Sequence, residues 1–447
     1  MQSDIFNCSL ANGDSDIESH IAEWISKFSL AGIPREVINV AQACIADGIG
    51  VMLAGSTSNI FRQLNSRHTS AGHCSVAGNK IRTDAQTAAL LNGVACHAYD
   101  FDDTSYAGIV HGTAVILPAV LAMSQELGVT GTQFLESFIV GVETEYTLGL
   151  AVTESLYERG FWATTTLGVI GAAAGVARLL SNNPQLIANA IRLAANMPVG
   201  LRAIHGTNGK PYLCGMAAKL GVEAAFAAYE GISGRKHTLN GKFGFASTCN
   251  GERLLLPFVQ SIGNRYTLID PGVAFKLYPL CSATQAAIEA ALWLRTQYNF
   301  NTEEIDHITC KGTDLVINSL PYFSPATATE AQFSMQFAIS CALLNRDISF
   351  EHLNYETISH SEMKVLMKHI KLVADSSFLP PEESTACPEA SQVEIHLRDG
   401  TVLSKAVFAA TGMPQHQATK GQLFDKFKKC TKLASIDIDI DLLWEGL

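Results

Sequence analysis

Small residues crowd the apolar segments in the first half of this chain, and they restrict how those segments can pack. VIGAAAGVARLL (169–180) and GMAAKLGVEAAFAAYEG (215–231) have helical spacing and consist largely of Gly and Ala. Helices with such faces can approach one another closely, as a compact multi-helix core requires. The first 230 residues are helical in pattern nearly throughout, without an internal repeat, so a solenoid is not expected.

Two helix starts can be predicted near the N-terminus. Ser15 and Glu18 have the spacing of a capping box, and apolar residues then recur at helical intervals. Pro34 can open the next helix, because proline is favoured in the first turn.

The pattern changes after about residue 265. The segment 276–294 leads into a helix, 305–315 alternates like a strand, and 330–345 is again helical. Two alternating strands at 391–408 flank Asp399-Gly400, which is a strong hairpin signal. The tail at 421–433 looks helical and is expected to return to the first domain.

The predicted fold class is therefore mainly α with an α+β second domain. We predict a large helical domain over residues 1–265, joined by residues 411–447. A smaller α+β lid domain is predicted over residues 270–410. The chain length of 447 residues agrees with about two or three domains.

Composition excludes several classes of protein. A hydrophobic content of 47% indicates a well-buried globular fold, and a net charge of −11 argues against a nucleic-acid partner. The densest basic stretch, Lys426–Lys432, is short. The most apolar runs carry Asp47 or Arg178, so no membrane span is predicted. The eleven cysteines are scattered without a C-x-x-C pair, and no secretory signal is visible, so we expect reduced thiols and a cytoplasmic location.

The most unusual local feature is HAYDFDDTSYAGIVHGTAVILP (97–118). Asp100, Asp102 and Asp103 lie within four positions, and His111 follows in a stretch of small and apolar residues. The spacing of these three aspartates, taken alone, also fits a helix terminus or a solvated turn without a functional role. The aromatic neighbours favour a buried site, where at least one carboxyl would have a raised pKa.

Two lysines are candidate anchors for a carboxylate. Lys210 lies in a glycine-containing loop (205–215) just before a helix of small residues, and Lys276 lies in AFKLYP. A lysine near a helix N-terminus can bind an anion, although either residue could be an ordinary surface lysine. The aspartates and His111 could bind a metal, but they match no known ligand spacing. With no phosphate-binding loop either, we predict no metal and no organic cofactor.

Several segments together resemble the MmgE/PrpD family, which includes 2-methylcitrate dehydratase, cis-aconitate decarboxylase and iminodisuccinate epimerase. The first is HAYDFDDT, followed by His111 and a small-residue run ending in Leu-Pro. The others, in chain order, are GFWATTTLGVIGAAA (160–174), GKPYLCGMAAKLG (209–221), KLYPLCSATQAAIEAAL (276–292), TEAQFSMQFAISCALL (329–344) and LFDKFKKC (423–430). The resemblance implies a helical domain with a smaller lid, a homodimer, a site between the two domains and no obligatory cofactor.

The resemblance also places the family's site elements on particular residues. Its acidic and histidine elements fall on Asp102, Asp103, Thr104 and His111, its loop lysine on Lys210 and its lid lysine on Lys276. Three positions where the family has histidine carry other residues here, namely Trp162, Leu213 and Gln285. His205, five residues before Lys210, is a candidate replacement for one of them.

These residues lead to a functional prediction. His111 is expected to transfer a proton, oriented by Asp102 or Asp103, while Lys210 binds a substrate carboxylate or acts as a base. The predicted substrate-binding residues are Thr104, Lys276, His205, Trp162 and Gln285. Losing three imidazole donors favours a smaller or less charged acid than a tricarboxylate, or one with an alkyl arm.

The predicted activity is a cofactor-independent lyase, a dehydratase or decarboxylase, that acts on a small organic acid. One alternative is an epimerase or isomerase of a dicarboxylic acid. The other is a non-catalytic binding protein that kept the fold.

Overall fold

Two large hydrophobic cores, with two small clusters beside them, organise the described residues in this computed structural model. The structure describes residues 16–68, 71–80, 82–152, 155–198, 200–251, 254–380, 383, 386–435 and 439–446. The larger core is built from residues 17–275 together with Leu423 and Cys430, and the smaller one from residues 280–403. The larger core is helical and the smaller one surrounds a four-stranded sheet. The predicted fold class is therefore confirmed, while the predicted domain boundaries stay a prediction.

The helical domain contains one helix after another, with a small two-stranded ribbon between residues 74 and 83. Its helices are Ile17–Lys27, Arg35–Gly55, Asn59–Asn65, Ala85–His97, Gly112–Leu127, Gly131–Val152, Ser155–Glu158, Ala163–Leu180, Pro184–Ala194, Gly209–Tyr229 and Leu256–Gln260. The ribbon pairs Cys74–Ser75 with Arg82–Thr83. The C-terminal segment adds Lys420–Ala434 and Ile440–Gly446.

Glycines explain why the helices of small residues can pack so closely. A Cβ on Gly93 would lie 2.8 Å from the Cα of Gly215, so the helices Ala85–His97 and Gly209–Tyr229 have their backbones in contact. A Cβ on Gly221 would lie 2.4 Å from that of Ala172. Any larger side chain at these points would force the helices apart.

The first helix begins differently from the prediction. Ser15 lies outside the described residues, and the N-cap is Asp16, whose carboxylate accepts from the amide of Ser19. Arg192 donates to the same carboxylate at 2.8 Å. Glu18 instead accepts from the amide of Leu239 at 2.8 Å. Pro34 precedes Arg35–Gly55 directly, as predicted.

The sheet of the α+β domain has the strand order Ile370–Ala374, Ile305–Gly312, Ser391–Leu397, Val402–Val407. The first pair is parallel and the other two pairs are antiparallel. Gly400 has a φ of 89°, which only glycine adopts readily, and closes the predicted hairpin. The helices of this domain are Gln285–Gln297, Asp314–Ser319, Ala328–Ala331, Met335–Asn345, Tyr355–Ser359 and Ser361–Lys368.

The predicted helix over 330–345 is interrupted. One short helix ends at Ala331, and the next begins at Met335 with Ser334 as its cap. The Ser334 hydroxyl accepts from the amide of Phe337 at 3.1 Å, because serine favours the cap over the interior of a helix.

The C-terminal helix packs on a helix of the helical domain. Lys420–Ala434 packs on Arg35–Gly55, where the ring of Phe427 lies so close that a Cβ on Gly50 would be 2.8 Å from it. Arg35–Gly55 and Ala163–Leu180 are long and apolar enough to cross a membrane, but 67% and 83% of their apolar windows are buried inside the fold. Such burial is typical of core helices, and the absence of a membrane span stays a prediction.

Candidate active site

The aspartate motif lies in a buried loop between the helices Ala85–His97 and Gly112–Leu127. Asp100 has a φ of 49°, a left-handed conformation that turns the chain sharply after the helix Ala85–His97. Thr104 pairs through its backbone with Ala274, at 2.9 and 2.7 Å, and its hydroxyl donates to the carbonyl of Val110. The pairing with Ala274 joins this loop to the segment that carries Lys276.

His97 occupies the centre of the cluster. Its Nδ1 lies 2.8 Å from Oδ2 of Asp102, and its Nε2 lies 2.6 Å from Nζ of Lys210. A lysine ammonium can only donate a hydrogen bond, so Nε2 of His97 accepts from Lys210. The ring proton of the neutral imidazole is then on Nδ1, which donates to Asp102. Burial lowers the pKa of His97 to about 4, and the charge of Lys210 acts in the same direction against the attraction of Asp102. The imidazole is therefore neutral and links a cation to an anion.

Asp100 lies between the two predicted lysines. Lys210 contacts one carboxylate oxygen of Asp100, and Nζ of Lys276 lies 3.2 Å from the other. Burial favours the neutral acid, but the two ammonium groups outweigh it and hold the pKa of Asp100 well below its usual range. Burial likewise opposes the charge of Lys276, yet Asp100 and Asp102 raise its pKa. Both lysines are thus brought into one site.

His111 lies beside His97, with ring centroids 4.9 Å apart, and approaches the same oxygen of Asp102. Its Nδ1 is 2.9 Å from the carbonyl oxygen of Asp103 and 3.2 Å from Oδ2 of Asp102. Both groups are acceptors, so Nδ1 carries a proton. Within the described residues Nε2 forms no hydrogen bond, and the side chain remains 11% exposed. Nε2 is consequently the ring atom that can exchange a proton with a ligand.

The two adjacent aspartates differ in protonation. Burial opposes the charge of Asp102, but His97 and His111 outweigh it and hold its pKa well below the ordinary value. Burial raises the pKa of Asp103 to about 7, helped by Asp47 and Asp102, although the hydroxyl of Thr113 donates to it at 2.5 Å. Asp103 agrees with the expectation that at least one carboxyl of the cluster has a raised pKa.

Aromatic rings form the wall beside Lys210. Its Nζ lies 5.0 Å from the ring centroid of Trp162 and 4.9 Å from that of Phe333. His205 stacks on Phe333 at 5.6 Å and meets Trp162 edge-on at 5.8 Å. Burial, followed by the charge of Lys210, lowers the pKa of His205 to about 2. Its buried Nε2 has no partner in the part of the chain that the structure describes.

Gln285 and Leu213 stand at two of the positions where the family has histidine. The amide oxygen of Gln285 accepts from the backbone of Leu277 and Tyr278, both at 3.1 Å, and its nitrogen donates to the carbonyl of Tyr278. Its side chain therefore fixes the turn after Lys276, and its predicted contact with a substrate stays a prediction. Leu213 packs against the helical core.

Sequence reasoning assigned no role to His97 or Asp100, the two residues at the centre of the cluster. Asp100 had been counted among the clustered carboxylates, and His97 stands three positions before it at the end of a helix. That i, i+3 spacing places them side by side, with the Nε2–Oδ1 distance at 3.4 Å. This spacing is the feature of the sequence from which the pair could have been identified.

A metal ion would find three ligand atoms here. Those of His97, Asp102 and His111 all lie within 4.8 Å of one another. However, Nδ1 of His97 is already bound to Asp102, and an ammonium group lies 2.6 Å from its other nitrogen. The two nearby lysines favour an organic anion over a cation.

The fold and site define a class of two-domain proteins with a buried lysine–histidine–aspartate cluster in a helical core. The family model for the MmgE/PrpD N-terminal domain matches residues 19–255, and that for the MmgE/PrpD C-terminal domain matches residues 278–443. The protein belongs to the MmgE/PrpD family, which confirms the resemblance seen in the sequence.

Relatives with assigned names align over most of the chain. The cis-aconitate decarboxylase of Mus musculus is 27% identical over 408 residues, which cover 88% of this chain and 82% of the relative. That of Homo sapiens is 26% identical over 437 residues, covering 94% and 89%. That of Aspergillus terreus is 23% identical over 435 residues, covering 91% and 87%.

Proposed function

We propose that the protein is a lyase that removes carbon dioxide or water from a small organic acid, with decarboxylation as the first candidate. The observation that carries the proposal is the buried chain of contacts from Lys210 through His97 and Asp102 to His111. The cis-aconitate decarboxylases among its relatives support the same reaction class.

The geometry supports a division of roles. Lys210 and Lys276 supply positive charge for a substrate carboxylate, and Nε2 of His111 faces the reacting carbon. In a decarboxylation the bond to the leaving carboxylate breaks and carbon dioxide departs. The electron pair stays on the α-carbon, and the proton that His111 carries on Nε2 when protonated completes the product. Asp102 holds the imidazole in orientation through its contact with Nδ1.

The wall beside Lys210 supports a particular kind of substrate. Trp162 fills a position where the family has a histidine, and with Phe333 it presents apolar surface to the ammonium group. A substrate arm directed there has no imidazole donor at position 162. We therefore propose an acid that is smaller or less charged than a tricarboxylate, or one with an alkyl arm.

A panel of di- and tricarboxylic acids, incubated with the protein in deuterated water and followed by mass spectrometry, tests this proposal. Loss of carbon dioxide with deuterium incorporated at the carbon that carried it, or loss of water without such incorporation, is the expected result, and the His111→Ala variant is the matched control. Deuterium exchange alone would identify an isomerase or epimerase. A panel without any change would overturn the enzyme assignment.

Independence from metals and organic cofactors is part of the proposal. A chelator is expected to leave turnover unchanged, whereas loss that one divalent ion restores would assign the ligand atoms of His97, Asp102 and His111 to a metal. A homodimer and a cytoplasmic location are proposals as well. Sedimentation at micromolar concentration tests the first and cell fractionation the second.

A further inference from the structure

A third buried lysine lies behind the candidate active site. Lys426 belongs to the C-terminal helix Lys420–Ala434 and is only 2% exposed, although the sequence places it in a basic stretch. Its Nζ lies 2.7 Å from Oδ1 of Asp47 and 2.9 Å from Oδ2. It also donates to the carbonyl oxygen of Phe101 at 2.7 Å. These contacts satisfy the ammonium group inside the fold.

The carbonyl of Phe101 occupies a sensitive position. It lies between Asp100, which contacts both site lysines, and Asp102, which contacts both site histidines. Asp100 is held in a left-handed conformation that costs a residue other than glycine conformational free energy. The hydrogen bond from Lys426 fixes the peptide plane that immediately precedes Asp102, and so the direction in which the Asp102 side chain leaves the backbone.

Charge balance joins this lysine to the same cluster. Burial raises the pKa of Asp47, and Lys426 is the strongest influence in the opposite direction, while Asp102 adds to the rise. Three ammonium groups thus face three carboxylates in one buried region, namely Lys210, Lys276 and Lys426 against Asp47, Asp100 and Asp102.

We infer that Lys426 is a positioning residue for the candidate active site, acting through the Phe101 carbonyl on Asp100 and Asp102. The C-terminal helix then completes the site from more than 300 residues away in the chain. The inference rests on the proposed function for its catalytic consequence, but its structural consequence can be measured without a substrate.

The decisive variant is Asp47→Asn/Lys426→Met. Lys426→Met alone would leave Asp47 buried without its counter-ion and could prevent folding, whereas the double variant removes both charges together. The double variant is compared with Asp47→Asn, which keeps the hydrogen bond from Lys426 to the carbonyl of Phe101. Lys429→Met changes an exposed lysine on the same helix and serves as the matched control.

Two readouts separate positioning from mere anchoring of the helix. In histidine-labelled protein, the ¹⁵N signal of His97 Nδ1, which reports its bond to Asp102, is expected to shift in the double variant but not in Lys429→Met. For an acid that the wild-type protein turns over, kcat is expected to fall by about 10²-fold with KM little changed, as for a misplaced catalytic group.

A folded double variant with an unshifted His97 signal and normal kcat would overturn the inference and reduce Lys426 to an anchor of the helix. The histidine signals decide this question even where no acid is turned over. Failure of the proposed function is therefore distinguishable from failure of the inference.

Discussion

The ammonium group of Lys210 and Nε2 of His97 are 2.6 Å apart, which makes the two side chains one hydrogen-bonded unit. Since Nδ1 of the same ring is bound to Asp102, a change at the lysine is transmitted to the aspartate that faces His111. Residues coupled in this way have non-additive effects when they are replaced.

Replacement of His97 tests that coupling. His97→Phe keeps the ring volume but removes both nitrogens, so we expect kcat to fall by at least about 10²-fold. The double variant His97→Phe/Lys210→Ala is expected to be little worse than the poorer of the two single variants. Steady-state kinetics measure both, with the exposed His20→Gln as control. Fully additive losses would contradict the coupling.

Loss of His111 tests its role in proton transfer. His111→Ala is expected to lower kcat by about 10²- to 10⁴-fold, the usual contribution of a general acid or base. Folding should stay intact because the side chain lies at the edge of the cluster. Turnover assays and urea unfolding check the two statements. Near-normal turnover would show that another group transfers the proton.

Two replacements at one position distinguish the possible roles of Lys210. Its contacts with Asp100 and His97 use its positive charge, so Lys210→Arg is expected to retain more activity than Lys210→Ala. Measurements of kcat and KM for both variants provide the test. If the arginine variant is as inactive as the alanine variant, the lysine acts as a base.

The aromatic wall predicts a change in specificity. Trp162→His introduces an imidazole beside Lys210, so the ratio of kcat/KM for a tricarboxylic acid to that for a dicarboxylic acid should rise about tenfold. Trp293→His, at a tryptophan that is 39% exposed, is the matched control. An unchanged ratio in Trp162→His would mean that the substrate does not reach this wall.

Asp103 predicts a pH dependence of stability. The folded protein keeps the Asp103 proton until about pH 7, whereas the unfolded chain loses it near the ordinary aspartate pKa of 3.8. Between these values the folded state binds the extra proton, so the free energy of unfolding falls as pH rises. Asp103→Asn should flatten that fall by up to about 1.4 kcal/mol per pH unit.

Urea unfolding at pH 5, 6 and 7 measures this effect, with Asp425→Asn on the exposed face of the C-terminal helix as control. Parallel pH profiles for wild type and Asp103→Asn would show that the carboxyl titrates normally in the folded protein.

The parts of the fold that local pattern determines were predictable from sequence. The helices of small residues and the Asp399-Gly400 hairpin depend on residues close together in the chain, and both were predicted correctly. Asp16 caps the first helix through the amide of Ser19, but its ion pair with Arg192 could not be predicted because that residue lies 176 positions away. The break before Met335 was missed because an apolar helical pattern continues through it.

The residues of the candidate site show the same difference between local pattern and long-range contact. The aspartate cluster and Lys210 stand out in the sequence, whereas His97 is marked only by its spacing to Asp100, and its contact with Lys210 lies 113 residues further on. For Gln285 the family motif indicated the position but not that its amide would bind nearby backbone, and its contact with a substrate stays a prediction. Local spacing reveals which chemical groups are present, and tertiary packing decides which of them meet.

The carboxylate of Asp100 already occupies both site lysines in the resting protein. A ligand carboxylate that approaches Lys210 or Lys276 therefore exchanges one anion for another and does not fill an empty positive pocket. The affinity of the ligand then depends on the difference in free energy between its own ion pair with the lysines and that of Asp100. Weak binding is therefore compatible with strong individual contacts. An ester or amide analogue offers no charge in exchange and leaves Asp100 in place. The internal counter-ion thus selects against neutral molecules before any bond is broken.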